Sequence, residues 1–169
     1  SMFLKDDGYL CFLTSSQWLD VEYGFSLQEW ILRNFEVNAI LESIDEPWFV
    51  GARVITAITI LRRQKDEQKR MNNIVRFIQL RRPMREILEH DGTAIGAMEA
   101  ADRFRDELLM LKENTANDRY RARLVKQGDL WLEGVRLATI MDKKEHDDNE
   151  DNDDQNTNTH EGEYYGGKW

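Results

Sequence analysis

Alternating apolar and polar residues predict β-strands at several places along the chain. The clearest case is 119–124, where Arg119, Arg121 and Arg123 alternate with aromatic or apolar neighbours. Residues 35–41 alternate in the same way, although one helix over 27–44 fits that segment nearly as well. Shorter apolar runs predict further strands, at 2–4, 9–13, 48–50 and 130–132.

Apolar residues spaced three and four positions apart predict helices between these strands. A long helix over 66–82 follows from the apolar stripe at Met71, Ile74, Val75 and Ile78. A second long helix is predicted from Thr93 or Ala94 to about Glu113, because apolar residues line one side of it. Shorter helices are predicted at 27–34, 51–58 and 134–141.

Together these elements predict an α+β fold with one domain over 1–142. Three segments follow the order strand, turn, strand, helix, and they lie near 2–22, 35–61 and 119–141. The second and third segments share Trp, Gly and Arg at equal spacing, so the sequence also predicts an internal ββα repeat. The matching stretches are Trp48-Phe49-Val50-Gly51-Ala52-Arg53 and Trp131-Leu132-Glu133-Gly134-Val135-Arg136.

The residues from 143 to 169 predict a disordered acidic tail, because apolar residues are almost absent until Tyr164. The last six residues have two interpretations. They are either a short linear docking motif or a loose end.

Composition narrows the class of protein. At 169 residues and 41% hydrophobic content the chain is long enough to bury a core. Cys11 is the only cysteine, which excludes an internal disulfide and a cysteine-based zinc site. No apolar run approaches the roughly 20 residues of a membrane span, and no secretory signal is visible. The expectation is an intracellular protein without a membrane partner.

Charge is strongly segregated along the sequence. The net charge is −9, yet residues 53–85 contain ten lysines and arginines and only two acids, Asp66 and Glu67. Because the field that attracts a ligand is local, this basic segment predicts a nucleic-acid contact surface on the helix over 66–82. The candidate residues are Arg53, Arg62, Arg63, Lys65, Lys69, Asn72, Arg76, Arg81, Arg82 and Arg85.

The same residues have a plainer interpretation. They could belong to a solvated helix whose arginines pair with acids of the N-terminal half or of the tail. A flexible acidic tail could also fold over the basic segment and compete with nucleic acid. Deleting 143–169 would then raise the affinity for DNA.

Catalytic and metal chemistry has little support in the sequence. His90, His146 and His160 lack the spacing of metal ligands, and no glycine-rich phosphate loop or nucleophile motif is present. The sequence therefore predicts a non-enzymatic protein with no catalytic residue, no metal and no cofactor.

One stretch resembles a known family. EPWFVGARVITAI, at 46–58, resembles the core of the N-terminal domain of baculovirus repeated open reading frame (Bro) proteins, and GDLWLEGVRLATIM, at 128–141, is a fainter echo. The similarity covers about 15 to 25 residues. Arg53 at the helix start and the absence of Gly-Tyr after Ile58 depart from the family pattern. The resemblance implies a viral α+β module that binds DNA in the host nucleus or cytoplasm.

The leading hypothesis is a non-enzymatic nucleic-acid-binding or regulatory protein of a large DNA virus. The alternative is a helical interaction or structural protein, as a homodimer or with another protein, whose two long helices pack on the partner. A third hypothesis is a viral protein that uses its acidic surface to bind a basic host protein.

Overall fold

A mixed six-stranded β-sheet forms the centre of the fold, which is α+β as predicted. The computed structural model describes residues 4–44, 46, 48, 55–147, 164, 166, 167 and 169. In chain order the elements are β1 (Tyr9–Ser15), α1 (Phe25–Asn34), β2 (Phe35–Ser43), β3 (Thr56–Arg63), α2 (Glu67–Asn72), β4 (Ile74–Leu80), α3 (Met84–Ile87), α4 (Ala94–Leu109), β5 (Thr115–Ala116), β6 (Tyr120–Lys126) and α5 (Gln127–Asp147). Two 3₁₀ turns, Ser16–Leu19 and Glu22–Gly24, join β1 to α1.

The strands lie in the order β1-β3-β2-β4-β6-β5. All described neighbours are antiparallel except β2 and β4, which run parallel at the centre of the sheet. Their carboxyl ends therefore meet at one edge, where Glu42 pairs in register with Gln79. In open sheets that contain parallel strands, ligands commonly bind at this edge.

Two hydrophobic clusters cover the two faces of the sheet. On one face α1, α5 and Tyr164 pack against β2, β3 and β4, with Ile31, Leu32 and Phe35 fully buried. On the other face α3 and α4 supply Ile87, Phe104 and Leu108 to a second cluster. The central strands β2 and β4 therefore place residues in both cores, which is why their sequences alternate less cleanly than that of a strand with one solvated face.

Several predicted elements are confirmed. Residues 35–43 form β2, and the alternative of one helix over 27–44 is wrong, because α1 ends at Asn34. Residues 120–126 form β6. The helix predicted over 94–113 is α4, and the Thr93 hydroxyl accepts a hydrogen bond from the backbone N–H of Gly96 at 3.0 Å, as an N-cap does.

The long basic helix over 66–82 is not formed. Its first part is the six-residue helix α2, and Ile74–Leu80 is β4. The apolar stripe that predicted the helix also fits a strand, since β-branched and aromatic residues dominate 74–80 and pair with β2 and β6. The basic residues of this segment therefore cannot share one helical face.

Two further predictions are wrong. Leu130, Trp131 and Leu132 lie in α5 rather than in a strand, so segment 119–141 is one strand and a helix. Ile58 does not lie in a helix. It lies in β3, where it pairs with Leu13 and Leu41. Most of EPWFVGARVITAI lies outside the described residues, and its fainter echo is part of α5, so the family resemblance stays a prediction.

Two glutamines with fully buried side chains join distant parts of the chain. Gln127, the first residue of α5, accepts hydrogen bonds from the Val37 backbone N–H and from Asn73 Nδ2, at 3.0 and 2.9 Å, and its amide donates to the Phe35 carbonyl oxygen at 2.7 Å. Val37 borders the irregularity in β2 where pairing with β3 shifts by one residue. Gln127 therefore supplies bonds at the point where the ladder is interrupted.

The second buried glutamine, Gln28 of α1, holds the end of the chain. Its amide donates to the carbonyl oxygens of Trp18 and Leu19, both at 3.0 Å, and its oxygen accepts from the Tyr164 hydroxyl at 3.0 Å and from the Gly167 N–H at 3.2 Å. The Tyr164 ring stacks on Trp131 with 5.3 Å between ring centroids.

The absence of a side chain at Gly134 in α5 makes room for the Tyr164 ring. A Cβ on Gly134 would lie 2.5 Å from Tyr164 Cδ2, so a side chain at this position would displace the ring.

The acidic tail predicted over 143–169 is described only at its two ends. Residues 143–147 continue α5, residues 148–163 lie outside the described part, and Tyr164 and Trp169 pack against the domain. The interpretation of the last residues as a loose end is therefore wrong. Deleting 143–169 would remove buried aromatic side chains as well as negative charge, so it does not isolate the effect of the tail. No described helix is long and apolar enough to cross a bilayer.

Candidate nucleic-acid interface

The basic residues predicted to bind nucleic acid are spread over several elements. Arg62 and Arg63, at the end of β3, pair with Asp7 and Asp6 at 2.8 and 3.4 Å, and Lys65 also contacts Asp6 at 2.8 Å. The hydrogen bond from Lys65 is the main reason that the pKa of Asp6 is lowered. This is the pairing with N-terminal acids that the plainer interpretation of the sequence predicted.

Arg70 and Arg76 bond to backbone carbonyl groups. Arg70 is buried and donates to the carbonyl oxygens of Gln64 and Lys65, both at 2.8 Å. Arg76 donates to Leu108 and Leu109 at the C-terminal end of α4, at 3.0 Å each. A cation there satisfies free carbonyls and the negative end of the helix dipole. Burial lowers the pKa of Arg76.

The other predicted residues lie at exposed positions. Arg81 donates to the Asn117 carbonyl oxygen, and Arg82 pairs with Asp118. Arg85 lies on α3, Lys69 and Asn72 lie on α2, and Arg53 lies outside the described residues. The ten residues thus form no single surface in the described structure, and their contact with nucleic acid stays a prediction.

A different cluster lies on the sheet face that α5 leaves open. The register places side chains in two rows across β2, β4 and β6. One row is Ile40, Phe77 and Arg123, and the next is Glu42, Gln79 and Arg121. We call Phe77, Gln79, Arg121, Arg123 and the adjacent Trp169 the β4–β6 platform.

The platform joins cationic and aromatic groups. The Arg123 guanidinium carbon lies 4.9 Å from the centroid of the Phe77 ring, and the Trp169 ring centroid lies 6.4 Å from that of Phe77. Arg121 and Arg123 are both exposed, and neither forms an ion pair with a carboxylate in the described part of the chain. No described carboxylate therefore competes with a ligand for their charge.

A cleft of about 250 Å³ opens between the platform and Leu19. Its walls are Ile40, Glu42 and Gln79 from the sheet, with Trp169, Arg121 and Arg123 at the sides. Burial raises the pKa of Glu42, opposed by a hydrogen bond from Ser16 and reinforced by the nearby Asp20. The cleft thus combines a half-buried carboxylate with two exposed guanidinium groups.

The sequence contains a signal for this site. The alternation at 119–124 predicts β6, and it also requires that Arg121 and Arg123 share one face of that strand. What it cannot predict is that Phe77 and Gln79 lie beside them, since the apolar spacing of that segment predicts a helix.

No protein-family model and no curated protein matches the sequence. Solved structures do match. The chain superimposes on part of the type IIG restriction endonuclease BpuSI with a TM-score of 0.53 and 12% identity, over 83% of this chain and 16% of that one. A chain from a type I restriction–modification system matches with a TM-score of 0.43 and 13% identity, over 88% of this chain and 37% of that one.

The match to BpuSI shows a shared fold, and this chain spans 16% of that enzyme's length. It also corrects one prediction. The prediction of a non-enzymatic protein is wrong, because a fold of this kind occurs inside a restriction endonuclease. The lack of a familiar catalytic motif in the sequence does not separate this chain from enzymes.

Proposed function

We propose that this chain is a nucleic-acid-binding module of a DNA-processing protein and that the β4–β6 platform is its contact surface. The observation that carries the proposal is the pair of exposed arginines, Arg121 and Arg123, aligned beside Phe77 on one open sheet face. Guanidinium groups neutralise phosphates, and aromatic rings stack with bases.

The shared fold supports the proposal. A restriction endonuclease acts on DNA, and the part of BpuSI that this chain resembles is a small fraction of that enzyme. A segment of this size is suited to contribute binding and positioning within a larger protein.

The shape of the platform favours single-stranded nucleic acid. A sheet face presents side chains in a shallow layer, on which successive bases can stack while the arginines contact the backbone. A helix that enters the major groove, which the sequence analysis had predicted at 66–82, does not exist in this fold.

The alternative, a helical interaction or structural protein, depends on two long helices. The helix predicted over 66–82 is not formed, so this alternative keeps only one of them.

The exposed residues Lys69, Arg81, Arg82 and Arg85 are proposed as secondary phosphate contacts outside the platform.

The double variant R121A/R123A is expected to bind single-stranded DNA about 10- to 100-fold more weakly than the unchanged protein. Each lost phosphate contact should also lower the slope of log K against log salt by roughly 0.7. Fluorescence anisotropy with a labelled 12-mer, titrated at four salt concentrations, measures both quantities.

The matched control is R103A/R105A, which removes the same charge from the exposed side of α4. It should retain nearly full affinity, because these arginines pair with acids on their own helix. An equal loss in both double variants would mean that net charge, and not the platform, determines binding. Absence of binding at low salt would reject the proposed function.

A further inference from the structure

The two clefts beside the platform share a polar wall. The first has a volume of about 250 Å³ and the second about 320 Å³, and both are bounded by Leu19, Glu42, Gln79 and Trp169. Together they form a recess at the carboxyl ends of the parallel strands β2 and β4. Their size is of the order of small-ligand sites, which span roughly 300–1,000 Å³.

Glu42 and Gln79 present complementary hydrogen-bonding groups in this recess. Glu42 is half-buried and offers carboxylate oxygens, which only accept. Gln79, its register partner on β4, is exposed, and its side-chain amide forms no hydrogen bond among the described residues. An amide offers both donors and an acceptor. Glu42 therefore presents carboxylate acceptors beside the Gln79 amide donor, which forms no hydrogen bond among the described residues.

Flat apolar groups border the same recess. The Trp169 indole lines both clefts, and Phe77 lines the first. Arg121 lies next to Gln79 in the same row, on the side away from Glu42. A planar ligand that enters here meets an aromatic ring, a carboxylate and an amide, and a phosphate attached to it can reach the arginine.

We infer that this recess selects a base whose exocyclic amino group adjoins an unprotonated ring nitrogen, as in cytosine, from a nucleic-acid strand bound on the platform. Glu42 accepts a hydrogen bond from the amino group, as carboxylates do from N4 of cytosine. The Gln79 amide donates to the neighbouring ring nitrogen, and Trp169 packs against the ring. The inference rests on the proposed function and adds base preference to it.

Uracil and thymine are disfavoured for a definite reason. In the orientation that cytosine adopts, they place a carbonyl oxygen opposite Glu42 and a protonated N3 opposite the Gln79 donor, so acceptor would face acceptor and donor would face donor in a half-buried site. A buried acceptor without a donor is costly compared with one that remains in water. Cytosine and uracil have the same ring size, so the group at position 4 and the protonation of N3 are the main differences between them.

The test compares 12-mers of deoxycytidine and deoxyuridine, bound to the unchanged full chain at one salt concentration. We expect the deoxycytidine strand to bind at least about fivefold more tightly. Equal affinity, or tighter binding of the deoxyuridine strand, overturns the inference without requiring any variant.

The variant E42Q then assigns the preference to this side chain. Its amide can donate to a carbonyl as well as accept, so the ratio of the two affinities should fall towards one. The control Q68L, on the exposed side of α2, should keep the ratio of the unchanged protein. A ratio that E42Q leaves unchanged, with the protein folded by circular dichroism, also overturns the inference.

The failure of this inference differs from the failure of the proposed function. If both strands bind equally and R121A/R123A weakens both, the platform binds nucleic acid without this base preference, and only the inference fails. If neither strand binds, both fail.

Discussion

Replacing Gln127 with leucine is expected to lower the free energy of unfolding by about 3–5 kcal/mol. Leucine retains the bulk but cannot bond to the Val37 N–H or the Phe35 carbonyl oxygen, which Gln127 contacts at 3.0 and 2.7 Å. Each buried polar group that loses its partner costs about 1–3 kcal/mol. Urea denaturation followed by circular dichroism measures the change as a shift of the midpoint at constant slope.

The control for this substitution is Q68L in α2, where the side chain is exposed. A change there should remain within about 0.5 kcal/mol. If Q127L and Q68L unfold at the same urea concentration, the buried amide of Gln127 contributes nothing to stability, and its role at the β2 irregularity is refuted.

The loss of the Gln127 hydrogen bonds should affect the candidate site as well as the stability of the protein. Gln127 bonds to β2 and to Asn73, the residue before β4. These are the two strands whose register aligns Glu42 with Gln79. Loosening this junction in a folded variant should therefore weaken nucleic-acid binding although no platform side chain has changed.

The variant Q28L is expected to cost about 3 kcal/mol of unfolding free energy and to release the end of the chain. Leucine at this fully buried position leaves the Trp18 and Leu19 carbonyl oxygens without the amide that bonds them at 3.0 Å. It also removes the acceptor of the Tyr164 hydroxyl. Urea denaturation gives the energy, and limited proteolysis with mass spectrometry shows whether cleavage near the C-terminus becomes faster.

Gln17 provides the matched control, because its side chain is exposed and accepts only a 3.3 Å hydrogen bond from Tyr23. The variant Q17L should keep both the stability and the cleavage rate of the unchanged protein. Cleavage of Q28L at the unchanged rate would show that Gln28 does not hold Tyr164 and Trp169 in place.

Local features of the sequence predicted part of this fold. The apolar spacing from Ala94 to Leu111 predicted α4, because residues three and four positions apart share one face of a helix. The arginine alternation predicted β6, because successive side chains of a strand point to opposite faces. Both signals depend only on neighbours in the sequence.

Segment 66–82 shows where such signals fail. Its apolar spacing fits a helix, yet Val75, Ile78 and Leu80 are buried on strand β4. Residues 74–80 form a strand and not a helix because β4 lies between β2 and β6 and can bury residues on both faces. This gain depends on partners 37 or more residues away, which no local pattern contains.

The class of the fold, the position of β6 and the local excess of positive charge at 53–85 follow from the sequence alone. The sequence could not determine which of the charges are free. Arg62, Arg70 and Arg76 are engaged by carboxylates or carbonyl groups, whereas Arg121 and Arg123 form no ion pair with a described carboxylate and lie beside Phe77. This difference arises in the folded chain, because whether a charge is paired depends on which distant groups the fold brings within hydrogen-bonding distance.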